Sequence, residues 1–146
     1  ALTTALDGKH GAHIEASSDL QTLYADIRND ATSPYFYKST NGGASWTNPA
    51  AVASTVTGPI RIVGAAATTA LAGYQHTLVR ATAGFARVST VLTAAATSNT
   101  VVAIETAPSD SNTVYATTKG LLVYRSTDGG LNFTLRSNLR TFIDAN

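Results

Sequence analysis

Short apolar runs separated by turn-forming residues dominate this chain, and many of the runs alternate apolar and polar positions. Alternation with a period of two places successive side chains on opposite faces of a β-strand. Glycine, proline, asparagine, aspartate and serine interrupt the runs about every ten residues, which is typical of turns between short strands. The predicted strands are His13–Ala16, Leu23–Ile27, Tyr35–Tyr37, Ile60–Val63, Val101–Ile104, Val114–Ala116 and Leu121–Tyr124, and those at His13–Ala16, Ile60–Val63 and Val101–Ile104 are the inner strands that precede the three copies.

No segment of the sequence has the periodicity that predicts an α-helix. No window of about 11 residues carries the apolar stripe of an amphipathic helix. Threonine and glycine interrupt the alanine-rich stretches at 65–72 and 94–96, and neither stretch has a charged outer face, so we assign them to strand and turn. The pattern predicts an all-β fold.

Two segments of the chain share the same landmarks in the same order. Residues 18–46 and 109–133 each open with Ser-Asp, continue with a Tyr-Ala strand and an aromatic strand, and then carry Lys/Arg-Ser-Thr-Asn/Asp-Gly-Gly. A diverged third copy lies between them at 70–88, with Val-Arg-Ala-Thr in place of Tyr-Lys/Arg-Ser-Thr. The basic residues of the three copies, Lys38, Arg80 and Arg125, are 42 and 45 residues apart. Four short strands and their turns need about 40 to 50 residues, so the period is that of a four-stranded unit.

The turns Ser-Thr-Asn-Gly-Gly-Ala-Ser-Trp at 39–46 and Ser-Thr-Asp-Gly-Gly-Leu-Asn-Phe at 126–133 resemble the Asp-box, or BNR repeat, of pattern Ser-x-Asp-x-Gly-x-x-Trp. This box recurs in the β-propellers of sialidases, xyloglucanases, sortilin-type receptors and photosystem assembly factors. The chain departs from the pattern at Asn41 for Asp, at Phe133 for Trp, and almost throughout the middle copy. The resemblance implies propeller blades with a box at the outer rim of a blade, between its third and fourth strands.

The box residues have structural roles in this interpretation. An Asx side chain accepts hydrogen bonds from backbone N–H groups of its own turn, the serine bonds within the turn, and the glycines adopt positive φ. Calcium at Asp128 is the alternative, but each loop has one carboxylate at most, whereas Ca²⁺ favours several oxygen ligands. The structural box residues are Ser39, Asn41, Gly43, Trp46, Ser126, Asp128, Gly130 and Phe133.

The repeat predicts one propeller-like module over residues 1–146, built of antiparallel four-stranded blades at roughly 13–50, 60–90 and 100–137. Residues 138–146 are interpreted as the start of a further blade, with a strand over 140–145. Propellers typically have four to eight blades, and a stack of about three leaves an apolar face and a strand edge uncovered. We therefore expect another chain, a second copy of this chain or a missing segment to complete the propeller.

The amino-acid composition limits the cellular locations and the classes of binding partner that suit this chain. Charged residues make up 13% of the chain, hydrophobic residues 44%, and the net charge is +1. The basic residues are scattered singly, which argues against nucleic-acid binding. No apolar run approaches the roughly 20 residues of a membrane-spanning helix, and cysteine is absent, which excludes thiol chemistry and disulfides. The weakly charged, hydroxyl-rich composition favours a secreted or cell-surface protein.

Candidate ligand-facing residues lie on the predicted inner strands and on one aromatic strand. Glu15 and Glu105 occupy equivalent places in the repeat, and Asp144 is expected at the same place in the further unit. Repeat-related carboxylates are better explained by duplication than by an asymmetric acid and base, so we assign no catalytic residue. Arg61 and Tyr35 complete the ligand-facing candidates.

Other polar groups are assigned no chemistry. Asp19 and Asp110 are interpreted as turn formers. His10 and His13, with Asp7 beside them, have the composition of a metal site, but no third convergent ligand is visible, so neither a metal nor a cofactor is predicted.

These observations favour a non-enzymatic extracellular binding or scaffolding module that recognises a protein or a glycan. Two alternatives stay open at this point: an inactive portion of a secreted glycoside hydrolase resembling a sialidase or xyloglucanase, and a structural protein of a viral particle or cell-surface assembly. Two inward carboxylates flanking a cleft would favour the hydrolase, and a large apolar patch at each end would favour a scaffold.

Overall fold

A computed structural model of the chain describes residues 10–28, 35–48, 58–64, 68–74, 76–82, 87–94 and 99–145. The described residues form eleven β-strands and one short α-helix. In chain order they are β1 (His10–Ala16), β2 (Leu23–Arg28), β3 (Tyr35–Ser39), β4 (Ile60–Val63), β5 (Thr69–Tyr74), β6 (Thr77–Thr82), β7 (Arg87–Thr93), β8 (Val101–Ala107), β9 (Asp110–Thr118), β10 (Leu122–Ser126), β11 (Thr134–Asn138) and α1 (Leu139–Ile143). The predicted all-β fold is confirmed.

The strands form three antiparallel sheets in which neighbours along the chain are also neighbours in the sheet. We call them blade 1 (β1 to β3), blade 2 (β4 to β7) and blade 3 (β8 to β11). In blade 1 a single bridge between Lys38 and Thr47 follows β3, at the place of a fourth strand. The innermost strands lie side by side, because β1 contacts β4 and β4 contacts β8. The architecture is that of adjacent propeller blades.

The three blades keep one register. Their second and third strands pair the same repeat positions: Tyr24 with Lys38, Leu71 with Arg80, and Tyr115 with Arg125. The diverged middle copy therefore retains the strand alignment of the other two, even though most of its landmark residues have changed.

The blades pack face to face through tyrosine, aliphatic and small side chains. Tyr24 is fully buried in one cluster with Ile60 and with the alanines of blade 2, which are Ala70, Ala72 and Ala81. Leu71 is fully buried in a second cluster that includes Ile104 and Val114 of blade 3. Because side chains alternate along a strand, β5 presents its alanines to blade 1 and Leu71 to blade 3. Each large aliphatic side chain buried in this way contributes about 1.5–3 kcal/mol.

Residues 139–143 form α1, where the sequence predicts a strand over 140–145. The side chain of Asn138 accepts a hydrogen bond from the Arg140 backbone N–H at 3.1 Å, and the Asp144 N–H donates to the Arg140 carbonyl at 2.9 Å. These local bonds satisfy backbone groups that a strand could satisfy only against a neighbouring strand.

Gly130→Ala is expected to destabilise the chain more than Gly64→Ala. Both glycines have positive φ, 81° and 80°, so each substitution costs about 1–2 kcal/mol of left-handed strain. A Cβ at Gly130 would lie 2.7 Å from Leu71 Cδ1, whereas a Cβ at Gly64 would meet nothing within 4 Å. Because overpacking adds its own cost, the Gly130→Ala loss should be larger by about 1 kcal/mol or more in urea unfolding. Equal losses would show that Leu71 does not pack tightly on this glycine.

Candidate functional site

Two hairpins at the ends of β3 and β10 carry the glycine-rich motifs. We call residues 39–46 the first hairpin and residues 126–133 the second hairpin. Each begins with a buried serine, Ser39 or Ser126, and each has two successive glycines at positive φ. The arrangement leaves the serine hydroxyl beneath the turn, where it can bond to several backbone groups.

In the first hairpin, the side chains of Ser39 and Asn41 organise the turn. Ser39 Oγ accepts from the Gly43 N–H and donates to Asn41 Oδ1, both at 2.9 Å. Asn41 Oδ1 also accepts from the Ser45 N–H at 2.9 Å. The Trp46 indole Nε1 donates to the Gly43 carbonyl at 3.1 Å, so the ring closes over the hairpin. All these bonds stay within the turn.

The second hairpin repeats this pattern with a carboxylate. Ser126 Oγ donates to Asp128 Oδ1 at 2.7 Å and accepts from the Gly130 N–H at 2.9 Å. Asp128 also accepts from the backbone N–H groups of Leu131 and Asn132 at 3.0 and 2.9 Å, and from Asn132 Nδ2 at 2.8 Å. Asp128 thus has more donors around it than Asn41 has.

The tip of each hairpin bonds to the start of the second strand of its own blade, just before β2 in blade 1 and within β9 in blade 3. The Gly42 N–H donates to the Gln21 carbonyl at 3.0 Å, and the Gly129 N–H donates to the Asn112 carbonyl at 2.9 Å. The two bonds join equivalent repeat positions. Phe133 packs against the core cluster of blades 2 and 3. The hairpins therefore fix the rim of their blades.

Hydrogen bonds hold the pKa values of the turn carboxylates below the ordinary value. The Ser126 hydroxyl is the main cause for Asp128, whose pKa lies far below 3.8. The Ser17 hydroxyl acts in the same way on Asp19, and the Thr113 hydroxyl on Asp110. Asp19 and Asp110 are turn formers, as predicted, because each accepts a backbone N–H two residues further on.

The innermost strands bring three of the predicted ligand-facing residues together. We call Glu15, Arg61 and Glu105 the charge ladder. They hold the same repeat position, since Glu15 pairs with Tyr24, Arg61 with Leu71, and Glu105 with Tyr115. Arg61 Nη1 lies 3.5 Å from Glu15 Oε1, and Arg61 Nη2 lies 3.2 Å from Glu105 Oε2. One guanidinium thus joins the carboxylates of both neighbouring blades.

The members of the ladder differ in exposure. The side chain of Glu15 is 15% exposed, that of Arg61 29%, and that of Glu105 68%. Glu15 Oε1 also accepts from the Ile62 N–H at 3.4 Å, and Arg61 Nε and Nη2 lie 3.3 and 3.2 Å from the Thr106 hydroxyl. The guanidinium has partners in both adjacent blades, while Glu105 faces outward from blade 3.

A cleft of about 350 Å³ opens beside the ladder, between the innermost strands. Its lining combines one ion pair, four hydroxyl side chains and three small or aliphatic residues: Glu15, Ala16, Ser17, Ser18, Arg61, Ile62, Gly64, Thr106 and Ser111. These hydroxyl residues were not predicted from the sequence to face a ligand. They could have been recognised from their positions in the repeat, close to Glu15 and Glu105 and in or beside the repeated Ser-Asp turns.

Of the remaining candidates in or before blade 1, only His13 has a described side chain, and it is not among the residues that line the cleft. Tyr35 lies in β3, with its side chain outside the described residues, as are Asp7 and the side chain of His10. His13 Nε2 lies 2.9 Å from the Ile60 carbonyl oxygen. Among the described residues, no three His, Cys, Asp or Glu side chains are grouped so as to hold a metal ion. The described helix is too short to span a membrane.

Asp144 does not extend the ladder. The sequence places it at the position of Glu15 and Glu105 in a further unit, but the structure has it at the C-cap of α1. A strand register that would align it with the other carboxylates is not formed, because residues 139–143 are helical.

Solved β-propeller structures are similar to this chain. YCF48 from Cyanidioschyzon merolae matches 95% of the chain with a TM-score of 0.68 and 14% identity, over 41% of its own length. The GH74 xyloglucanase from Xanthomonas campestris matches 93% of the chain, with a TM-score of 0.64 and 17% identity, over 24% of the enzyme. The GH74 enzyme from Niastella koreensis matches 86%, with a TM-score of 0.65 and 20% identity, over 17% of its length.

The comparisons define a class by fold. The chain has the β-propeller fold and spans less than half the length of each of these proteins, as expected of an incomplete propeller. No protein-family model and no curated protein sequence matches it. Identities this low establish the architecture and carry no activity with them.

Asn41→Asp is expected to stabilise the chain near neutral pH, and Asp128→Asn to destabilise it. Asp128 shows that a carboxylate in this turn has its pKa lowered by hydrogen bonds. A lowered folded-state pKa stabilises the fold above the unfolded pKa of about 3.9, and the effect is lost as pH falls further. Both differences from wild type should therefore shrink below about pH 4. Thermal unfolding across this pH range measures them, and pH-independent differences would contradict the prediction.

Glu15→Gln is expected to cost more stability than Glu105→Gln. Each substitution removes an ion pair with Arg61, but Glu15 is less exposed than Glu105, and its bond from the Ile62 N–H changes from a charge-assisted to a weaker neutral hydrogen bond. We expect a loss of about 1–3 kcal/mol for Glu15→Gln and less than about 1 kcal/mol for Glu105→Gln in urea unfolding. The reverse order would mean that Arg61 is held mainly by blade 3.

Proposed function

We propose that this chain is part of an Asp-box β-propeller that acts as a non-enzymatic binding module, and that its cleft binds a polypeptide segment of a partner protein. The hydrogen-bond pattern of the two hairpins supports the Asp-box assignment. The observation that carries the function is the lining of the cleft. The lining contains the ion pair of Glu15 and Arg61, whose charges cancel, and several hydroxyl groups, with no aromatic ring among the described lining residues.

The charge ladder argues against glycoside hydrolysis. Hydrolysis of a glycosidic bond generally needs two carboxyl groups that flank the bond, one of them free to donate a proton. Here Glu15 and Glu105 both contact Arg61, and Glu15 alone of the two lines the cleft. The pair is arranged to hold an arginine between blades.

A polypeptide fits the cleft better than a sugar. Sugars are commonly held by stacking on aromatic rings, whose apolar faces match the C–H faces of the ring. A peptide backbone instead needs alternating donors and acceptors, and hydroxyl side chains supply both. The structure of YCF48 bound to a D1 peptide, similar to this chain with a TM-score of 0.63 and 13% identity, supports a peptide ligand.

A glycan-binding portion of a glycoside hydrolase is the second candidate. It is favoured by the likeness to GH74 enzymes, one of them a xyloglucanase. The proposed module is extracytoplasmic in either case, because a surface with few charges and many hydroxyl groups suits a secreted or cell-surface protein.

The test is a selection of phage-displayed random peptides on the immobilised wild-type chain, followed by titration of the enriched peptides. Ser111→Trp fills the cleft from an exposed position of β9, and Thr90→Trp adds the same bulk on β7, away from the cleft. We expect enriched peptides to bind Ser111→Trp at least about tenfold more weakly and Thr90→Trp as strongly as wild type. Circular dichroism verifies that both variants are folded.

Xyloglucan oligosaccharides, titrated in parallel, decide between the two candidates. Oligosaccharide binding that Ser111→Trp abolishes would replace the peptide with a glycan, and hydrolysis of xyloglucan would refute the non-enzymatic assignment. Peptides that bind Ser111→Trp and wild type equally well would show that the cleft is not their site.

A further inference from the structure

Each blade covers one face of the blade before it. We call the face that carries the ladder residue the trailing face of a blade, and the opposite face its leading face. Tyr24 and Leu71, on the trailing faces of blades 1 and 2, are fully buried in the clusters shared with the next blade. Tyr115, at the same repeat position of blade 3, is 39% exposed. Within the described residues, no blade lies on the trailing face of blade 3.

Within the described residues, no blade lies on the leading face of blade 1 either, and Ile14 is exposed there. Ile14 pairs with Ala25, and Ile104 pairs with Ala116, so the two isoleucines are equivalent. Ile104 is 4% exposed between blades 2 and 3, whereas Ile14 is 61% exposed. The outer faces of the three described blades are thus one leading face and one trailing face, the two kinds of face that meet at each internal junction.

The internal junctions show what fits a trailing face. Opposite Tyr24, the next blade presents alanines and Ile60. Opposite Leu71 it presents the second hairpin, where Gly130 lies under the leucine and the Gly129 carbonyl accepts from Arg80 Nε at 3.4 Å. A blade that fits over Tyr115 therefore needs small residues at these places.

Charge adds a second requirement. At the internal junctions each ladder residue meets one of opposite sign, Glu15 with Arg61 and Arg61 with Glu105. Glu105 is the last ladder residue, and 68% of its side chain is exposed on the open trailing face. The ladder residue of any blade that docks there lies beside Glu105, as Arg61 lies beside Glu15.

A second copy of this chain fails this requirement. Its leading blade would bring the Glu15 of that copy beside Glu105, and two carboxylates at neighbouring positions repel each other. We propose that the trailing face of blade 3 binds a propeller blade with an arginine or lysine at the ladder position and small residues over Tyr115, and that it discriminates against a second copy of this chain. Charge repulsion against the wrong neighbour and attraction to the right one act together in this selection.

The test inverts the ladder in one of two otherwise identical chains. The variant Glu15→Arg/Arg61→Glu/Glu105→Arg keeps alternating charges within its own three blades. Mixed with wild type it places opposite charges at both junctions of a two-chain ring of six blades, whereas either chain alone places like charges there. We expect the mixture to associate at least about tenfold more tightly than either chain alone, measured by sedimentation against the 15.1 kDa monomer.

A mixture that associates no more tightly than wild type alone overturns the proposal. If wild type forms the dimer as readily as the mixture does, a second copy is an acceptable occupant. Circular dichroism and urea unfolding establish that the inverted chain is folded before it is mixed.

A single substitution on the exposed end of the ladder provides a second test that does not depend on the inverted chain. Glu105→Gln removes the like-charge contact and is expected to self-associate roughly threefold more tightly than wild type at low ionic strength, with the difference shrinking as salt is added. Asp144→Asn is the control, because it also removes one negative charge but at a position outside the ladder. It should self-associate as wild type does. Self-association of Glu105→Gln that is no tighter than that of wild type overturns the proposal.

Discussion

The covering of one sheet by the next is the interaction on which this chain depends. A single antiparallel sheet of four short strands has two faces and cannot build a core alone. Tyr24 and Leu71 are buried because a second sheet lies over each of them, and each such side chain is worth more than any one hydrogen bond in the turns. Stability therefore grows with the number of blade junctions, as in other repeat architectures.

The hairpins and the junctions support each other. Blades 1 and 3, each covered on one side among the described residues, have the buried serine and the bonded Asx turn. Blade 2 lies between them and has Ala81 at the serine position, where the alanine is fully buried and has no hydroxyl to bond a turn. A blade packed on both faces is held by its neighbours, which explains how the middle copy could lose its motif and keep its register.

Local pattern was enough to predict most of the strands, the alignment of the three third strands and the two hairpins, because alternation, glycine pairs and Asx residues act within a few positions of the chain. The partners of Arg61 were not predictable in this way. Ile60-Arg61-Ile62 contains no landmark of the repeat, and its equivalence to Glu15 and Glu105 appears only when the strands are paired. The helix α1 was missed because a short apolar segment satisfies its backbone locally when no strand lies beside it.

The ladder matters more for the order of blades than for stability. Partly exposed ion pairs add little free energy, yet an unmatched or like-charged neighbour is costly once two sheets close over it. Arginine suits the middle position, because a planar guanidinium can bond partners on two sides, whereas an ammonium is a point charge. Blades that share one backbone and one register can stack in several orders, and exchanging blades 1 and 2 would place Glu15 beside Glu105. The sign at each ladder position therefore distinguishes otherwise interchangeable sheets, and it does so at the inner edge, where all the blades meet.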